Sequence, residues 1–129
     1  MTKSECPPEE IQRIAALCTT RWHRDYTRIK LRTDPAYAAV LREVSGTSLP
    51  LLDIGCGIGL LAMYLRGAGF DADVTGFDYD TGKIEAAKLM AQRSGFSGLH
   101  YAAGDARHEM PAFSGHVVIL DILQFFTSA

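Results

Sequence analysis

The stretch from Leu49 to Leu65, LPLLDIGCGIGLLAMYL, restricts the folds open to this chain more than any other part of it. A short apolar run gives way to Gly55, Gly57 and Gly59 at alternate positions, and the chain then turns apolar again with helical spacing. Strand alternating with helix or crossover four times from here on argues a parallel sheet, because the crossover must carry the chain back before the next strand can pair. Removing three Cβ atoms lets the backbone curve tightly and lets a ligand lie against peptide groups and a helix N-terminus. A tight turn alone is the plainer reading, but three glycines in five residues directly after a strand favour ligand contact.

The pattern repeats downstream. Asp73 to Asp78 reads as a second strand, and Asp80 or Thr81 caps a helix whose buried side is Ile84, Ala87, Leu89, Met90 and Ala91, ended by Gly95. Leu99 to Ala103 is a third strand. His116 to Asp121, HVVILD, is a fourth, apolar enough to be covered on both faces. Ahead of the loop the chain is helical. Pro7, Pro8, Glu9 and Glu10 suit a helix start, and Ile11, Ile14, Ala15, Cys18 and Trp22 continue one apolar stripe. A polar, basic connection, RWHRDYTRIKLRT, then leads to a helix opened by Asp34 and Pro35, with Tyr37, Ala38, Leu41 and Val44 on one face and Gly46 ending it.

Composition narrows the function classes. The 129 residues are 47% hydrophobic and 22% charged, enough for one domain with a single core, and a net charge of -2 gives no footprint for nucleic acid or an anionic membrane. No apolar run approaches the roughly 20 residues that span a bilayer, and the acidic N-terminus has no signal-like core, so the chain is read as cytoplasmic. Cys6, Cys18 and Cys56 are odd in number and lack metal-ligand spacing, which points to reduced thiols and no metal site.

Glycine spacing discriminates between cargoes. A dinucleotide fingerprint is G-x-G-x-x-G, and here the interval from Gly57 to Gly59 is one residue too short, which disfavours a nicotinamide cofactor. The segment Asp53 to Gly59, DIGCGIG, instead resembles the D-x-G-x-G-x-G loop of class I S-adenosylmethionine-dependent methyltransferases. Further positions agree in order. Asp78, nineteen residues past Gly59, closes the second strand; Gly104 to Ala106, GDA, follows the third; Asp121 closes the fourth.

The resemblance implies an α/β, Rossmann-like three-layer sandwich, with a parallel sheet in the order 3-2-1-4 and N-terminal helices. It implies S-adenosyl-L-methionine as cofactor, with the loop residues Gly55, Cys56, Gly57 and Gly59 receiving its methionine part. Asp53 fixes the loop or touches the cofactor, and Asp78 pairs with the ribose hydroxyls. Asp105 and Ala106 face the adenine, Tyr79 covers it, and Asp121 lies near the methyl donor and acceptor. Each carboxylate also has a plainer reading, as a turn, a cap or a solvated strand end. Residues 1–48 are expected to form a helical lid, with Tyr26, Arg28 and Tyr37 as its candidates, and residues 49–129 the cofactor-binding domain.

No catalytic residue is assigned. His100 and His116 fall at the wrong ends of their strands, and His23 and His108 are expected on solvated surface. The acceptor is read as a small molecule. The family's sheet usually runs to more strands, so the chain is expected to be an incomplete domain that self-associates through its fourth strand. The rival reading is a non-catalytic S-adenosylmethionine-binding module or an inactive fragment.

Overall fold

The structure, a computed structural model, describes residues 2–110 and 112–120. Three helices come first. In α1, Pro8–Ala16, a proline occupies the first turn beside Glu9 and Glu10, and Ile11, Ile14 and Ala15 are buried. The helix ends at Leu17; Cys18, expected on its stripe, is still buried in the same core, but Trp22 is exposed because Thr20 begins a new helix: its hydroxyl accepts the His23 N–H at 3.1 Å.

The segment expected to be a polar connection is that helix, α2, Arg21–Thr33. Its buried stripe consists of only Thr27 and Leu31, one turn apart, so few apolar residues advertise it; the many arginines are nonetheless good helix formers. Helix α3, Pro35–Val44, starts as expected, with Asp34 Oδ1 accepting the Ala36 N–H at 2.9 Å, and it buries Tyr37, Leu41 and Val44.

Strand and helix then alternate. The four strands are β1 (Leu51–Ile54), β2 (Val74–Asp78), β3 (Leu99–Ala103) and β4 (His116–Ile119), all parallel in the order β3-β2-β1-β4. Helices α4, Leu60–Gly67, and α5, Thr81–Ser94, follow β1 and β2. Asp80 caps α5, its Oδ1 accepting the Lys83 N–H. Leu89, expected on the buried side of α5, is 44% exposed. It lies about 140° around the helix from Ile84, on the opposite side from Ile84, Ala87 and Met90.

Side chains alternate across a strand, so the sheet has two distinct faces. On one, Leu51 and Val74 join α1, α3, α4 and Met90 of α5 in the main core, with Leu99, Val118 and Leu120 packed against it. The N-terminal helices therefore share the core of the sheet. On the other face Leu52, Ile54 and Phe77 form a small cluster with Ala106 and Phe113, and no helical residue takes part among the described residues. The expectation that β4 is covered on both faces fails there: Val117 and Ile119 are 55% and 42% exposed. The physical reason is the connection from β3 to β4, whose described residues form turns and no helix.

Arg66, in the last turn of α4, joins the elements with no carboxylate at hydrogen-bonding distance among the described residues. Its guanidinium donates to the carbonyls of Phe70 (2.9 Å), Ala72 (2.8 Å) and Ser97 (3.0 Å), and burial lowers its pKa. It thus closes the start of β2 against the start of β3, at the edge of the sheet opposite the glycine loop.

Candidate functional site

Parallel strands put all their carboxyl ends at one edge, and there the glycine loop, the end of β2 and the turn after β3 converge. The loop hangs on β2. Gly55 and Cys56 donate their N–H groups to Phe77 O at 2.7 and 3.2 Å, and Gly57 donates to Asp78 Oδ2 at 2.8 Å. The other Asp78 oxygen accepts the Asp80 N–H at 2.9 Å. A carboxylate has about four lone-pair sites, so two remain for a ligand.

Two glycines have distinct roles. At Gly57, with φ +57°, an added Cβ would meet nothing within 4 Å: the loop faces open space. At Gly59, with φ +86°, a Cβ would stand 2.7 Å from the Tyr101 hydroxyl, so the loop's far end lies directly on β3's tyrosine. Gly59 is also the N-cap of α4 and supplies no side-chain cap, which leaves the helix N-terminus facing the cavity to be satisfied by a ligand or water. The Tyr101 hydroxyl is buried with no hydrogen-bond partner among the described residues.

A cavity of about 440 Å3 opens between this loop and the N-terminal helices. Its floor is Gly55, Cys56, Gly57, Ile58 and Leu60, with Asp78, Tyr79 and Lys83 at one side; Trp22, His23, Tyr26, Lys30 and Tyr37 form the wall that faces them. The volume falls within the range of small-molecule sites.

Of the residues expected at the site, Gly55, Cys56, Gly57, Asp78 and Tyr79 line this cavity, and Gly59 turns the loop behind it. Asp53 is buried in β1, opposite Gly76 of β2. Asp105 and Ala106 do not line it. Asp105 turns back to Arg107, bonding its Nε at 3.1 Å and Nη2 at 3.0 Å, which lowers the Asp105 pKa and raises that of Arg107. Ala106 packs under the sheet with Leu52, Ile54 and Phe77. Asp121 lies outside the described residues.

Cys56 sits where a thiolate is disfavoured. Burial first, then the Asp53 and Asp78 carboxylates, push its thiol far up, so the thiolate is scarce at neutral pH. Among the lid candidates, Tyr26 and Tyr37 line the cavity, whereas Arg28 pairs with Asp25 at 2.9 Å in a separate groove with Arg21 and Arg24. His23, expected on solvated surface, is partly exposed and also lines the cavity. Trp22 and Lys30 were not expected there; the signal for them was Trp22, Tyr26 and Lys30 at intervals of four, legible only once the basic segment is read as a helix. No group of histidine, cysteine and acidic residues among the described residues is arranged to hold a metal ion.

Known proteins share this fold. The sequence model of a family described as a methyltransferase domain matches residues 46–122. Comparison with curated proteins gives no match. Among solved structures, the chain is similar to magnesium protoporphyrin IX methyltransferase from Synechocystis with bound SAH, at 21% identity and TM-score 0.59, covering 89% of this chain and 53% of that one. A TehB-like SAM-dependent methyltransferase from Corynebacterium glutamicum gives 21% identity and TM-score 0.58, covering 81% and 55%. A structure described by the conversion of a disulfide bond into a thioacetal group during echinomycin biosynthesis gives 29% identity and TM-score 0.57, covering 71% and 38%. The chain thus spans between 38% and 55% of the length of these three structures. With a family match over more than half of its residues, glycine loop included, the chain belongs to the methyltransferase-domain family.

Proposed function

We propose that this chain binds S-adenosyl-L-methionine and forms the cofactor-binding part of a methyltransferase acting on a small molecule. The observation that carries the reading is the loop itself: Gly57 opens onto free space, beside an uncapped helix N-terminus and a carboxylate with lone pairs to spare. When bound, the cofactor supplies an electrophilic methyl group on a sulfonium sulfur. The loop amides and the start of α4 would hold its carboxylate end, where a helix N-terminus favours negative charge. Asp78 would accept from the ribose hydroxyls while still pinning Gly57. Tyr79, with Asp105 and Ala106 beyond it, would take the adenine, and Asp53 would stiffen the strand beneath the loop.

The chain's own contribution to catalysis is alignment and exclusion of water. In this reading residues 1–48 act as the lid, since Trp22, Tyr26 and Tyr37 face the loop across the cavity. The net charge of -2 supports a small acceptor over nucleic acid, and the three free thiols support a reducing, cytoplasmic setting. We also propose self-association through β4, an edge strand among the described residues with Val117 and Ile119 exposed. No helix among the described residues is long and apolar enough to cross a membrane.

Calorimetric titration with S-adenosylhomocysteine, with NAD as control, tests the main reading. Saturable binding of the former alone is expected. Tighter binding of NAD, or silence from both in a chain shown to be folded, overturns it. For β4, light scattering should give a mass above that of one chain; a strict monomer removes that part of the proposal.

A further inference from the structure

The cavity has two walls of different chemistry. The loop and Asp78 offer amides and a carboxylate; the α2 wall offers aromatic rings. Trp22 and Tyr26 stack one turn apart, with centroids 5.3 Å apart and planes 7° from parallel. Both are nonetheless exposed, Trp22 by 67% and Tyr26 by 41%. Large aromatic surface left in water at the rim of a cavity, already held in a stack, is suited to receive a further ring.

His23 completes the arrangement. It meets Trp22 edge-on, with centroids 5.1 Å apart and planes at 83°. Its Nδ1 lies 2.9 Å from Thr20 Oγ1, the same oxygen that caps α2, so the imidazole is anchored at one nitrogen. Nε2 is the ring nitrogen left to meet a ligand. Beside the Lys30 amine and the tyrosine hydroxyls of the same wall, flat ring faces and an anchored imidazole suit a planar ring bearing a hydrogen-bonding group.

Resting on the methyltransferase reading above, we infer that the Trp22–His23–Tyr26 wall is the acceptor site and that the acceptor is a hydroxylated aromatic molecule. Its ring extends the Trp22–Tyr26 stack, and its hydroxyl donates to His23 Nε2. With the loop wall occupied by the cofactor, a ring on the α2 wall faces the loop across the cavity, the relation a donor and acceptor need.

Trp22 is the chain's one tryptophan, so its fluorescence reports on this wall directly. The experiment saturates the chain with S-adenosylhomocysteine, followed by calorimetry, and then titrates a panel of one-ring and two-ring phenols, each with its methyl ether and its saturated counterpart. Saturable quenching by phenols is expected, with ethers about fivefold weaker for want of the hydrogen bond and saturated counterparts without effect. Tyr26→Leu should weaken the phenols about fivefold, and His23→Leu should erase their advantage over the ethers. Quenching completed by S-adenosylhomocysteine, with no response to any phenol, would mean that the wall covers the cofactor and overturns the inference. Equal binding of phenols and saturated counterparts overturns it too, as does a His23→Leu chain that keeps the full phenol preference. If calorimetry shows no S-adenosylhomocysteine binding, the methyltransferase reading itself has failed, a result distinct from the other three.

Discussion

Two neighbouring strand ends carry the same chemical group and treat it differently. Asp78, at the end of β2, is 6% exposed, and its oxygens accept the N–H groups of Gly57 and Asp80. Asp105, two residues past β3, leaves 31% of its side chain exposed and bonds Arg107 through both backbone and guanidinium. The first spans 21 residues of chain and joins β2 to the glycine loop; the second closes a turn with its near neighbour. A carboxylate at a strand end therefore becomes architectural only where a second loop comes within reach. The sequence pattern places both acids at one edge of the sheet, but packing decides how many lone pairs each has left.

The most damaging way to break the β2 end is through the loop it holds. Gly59→Ala adds a Cβ at φ +86°, 2.7 Å from the Tyr101 hydroxyl and 3.3 Å from Ala87 Cβ. Left-handed backbone costs an alanine about 1 kcal/mol and overpacking roughly another 1 to 3, so urea denaturation should show a loss of about 3 kcal/mol. Adding Tyr101→Phe removes the nearest atom and a hydroxyl without a described partner, and should restore about 1 kcal/mol. No restoration would mean that the loop had already moved away from β3.

Asp78→Ala comes next. Two backbone donors lose a charged acceptor, and the unliganded chain should lose about 2 kcal/mol in the same denaturation. Affinity for S-adenosylhomocysteine should fall further, by roughly 1.5 to 3 kcal/mol, if the spare lone pairs hold the ribose. The two readouts separate the roles. Lost stability with unchanged affinity would make Asp78 a loop clamp only, and the comparison with Asp105 would then concern scaffolding alone.

How much of this was legible follows from what each signal depends on. The strands and the loop rest on local features, namely apolar runs, glycines and caps such as Asp34 and Asp80, and stand where the residues put them, whereas the order β3-β2-β1-β4 rests on the family resemblance, since no local feature encodes which strands pair. Helix α2 was hidden because only Thr27 and Leu31 face inward, leaving too faint an apolar period among its basic residues. With α2 unread, Trp22 was assigned to the preceding stripe and His23 to the surface, and one wall of the cavity disappeared. The burial of β4 was misjudged for a different reason: an apolar strand states what it prefers to bury, and only the β3–β4 connection determines whether anything is there to cover it. Likewise, the choice of Asp105 between a ligand and Arg107 is made by a side-chain rotamer, which spacing along the chain does not encode.

The smallest expected effect sharpens the comparison from the β3 end. Arg107 occupies three of the roughly four lone-pair sites on Asp105: two on Oδ1, from its N–H and Nε, and one on Oδ2, from Nη2. One site on Oδ2 remains, and the side chain is 31% exposed, so exchanging that site's water for a ligand yields little. Asp105→Ala should leave the urea midpoint nearly unchanged and weaken S-adenosylhomocysteine only slightly. Arg107→Ala makes the test two-sided, because it removes both guanidinium bonds from the carboxylate without deleting it. If Asp105 reaches the adenine amine, that variant should bind S-adenosylhomocysteine at least as well as the parent, while Asp105→Ala binds it more weakly. If both variants match the parent in calorimetry, the acid after β3 is a turn residue, and Asp78 is the only one of the two strand-end carboxylates that serves the ligand.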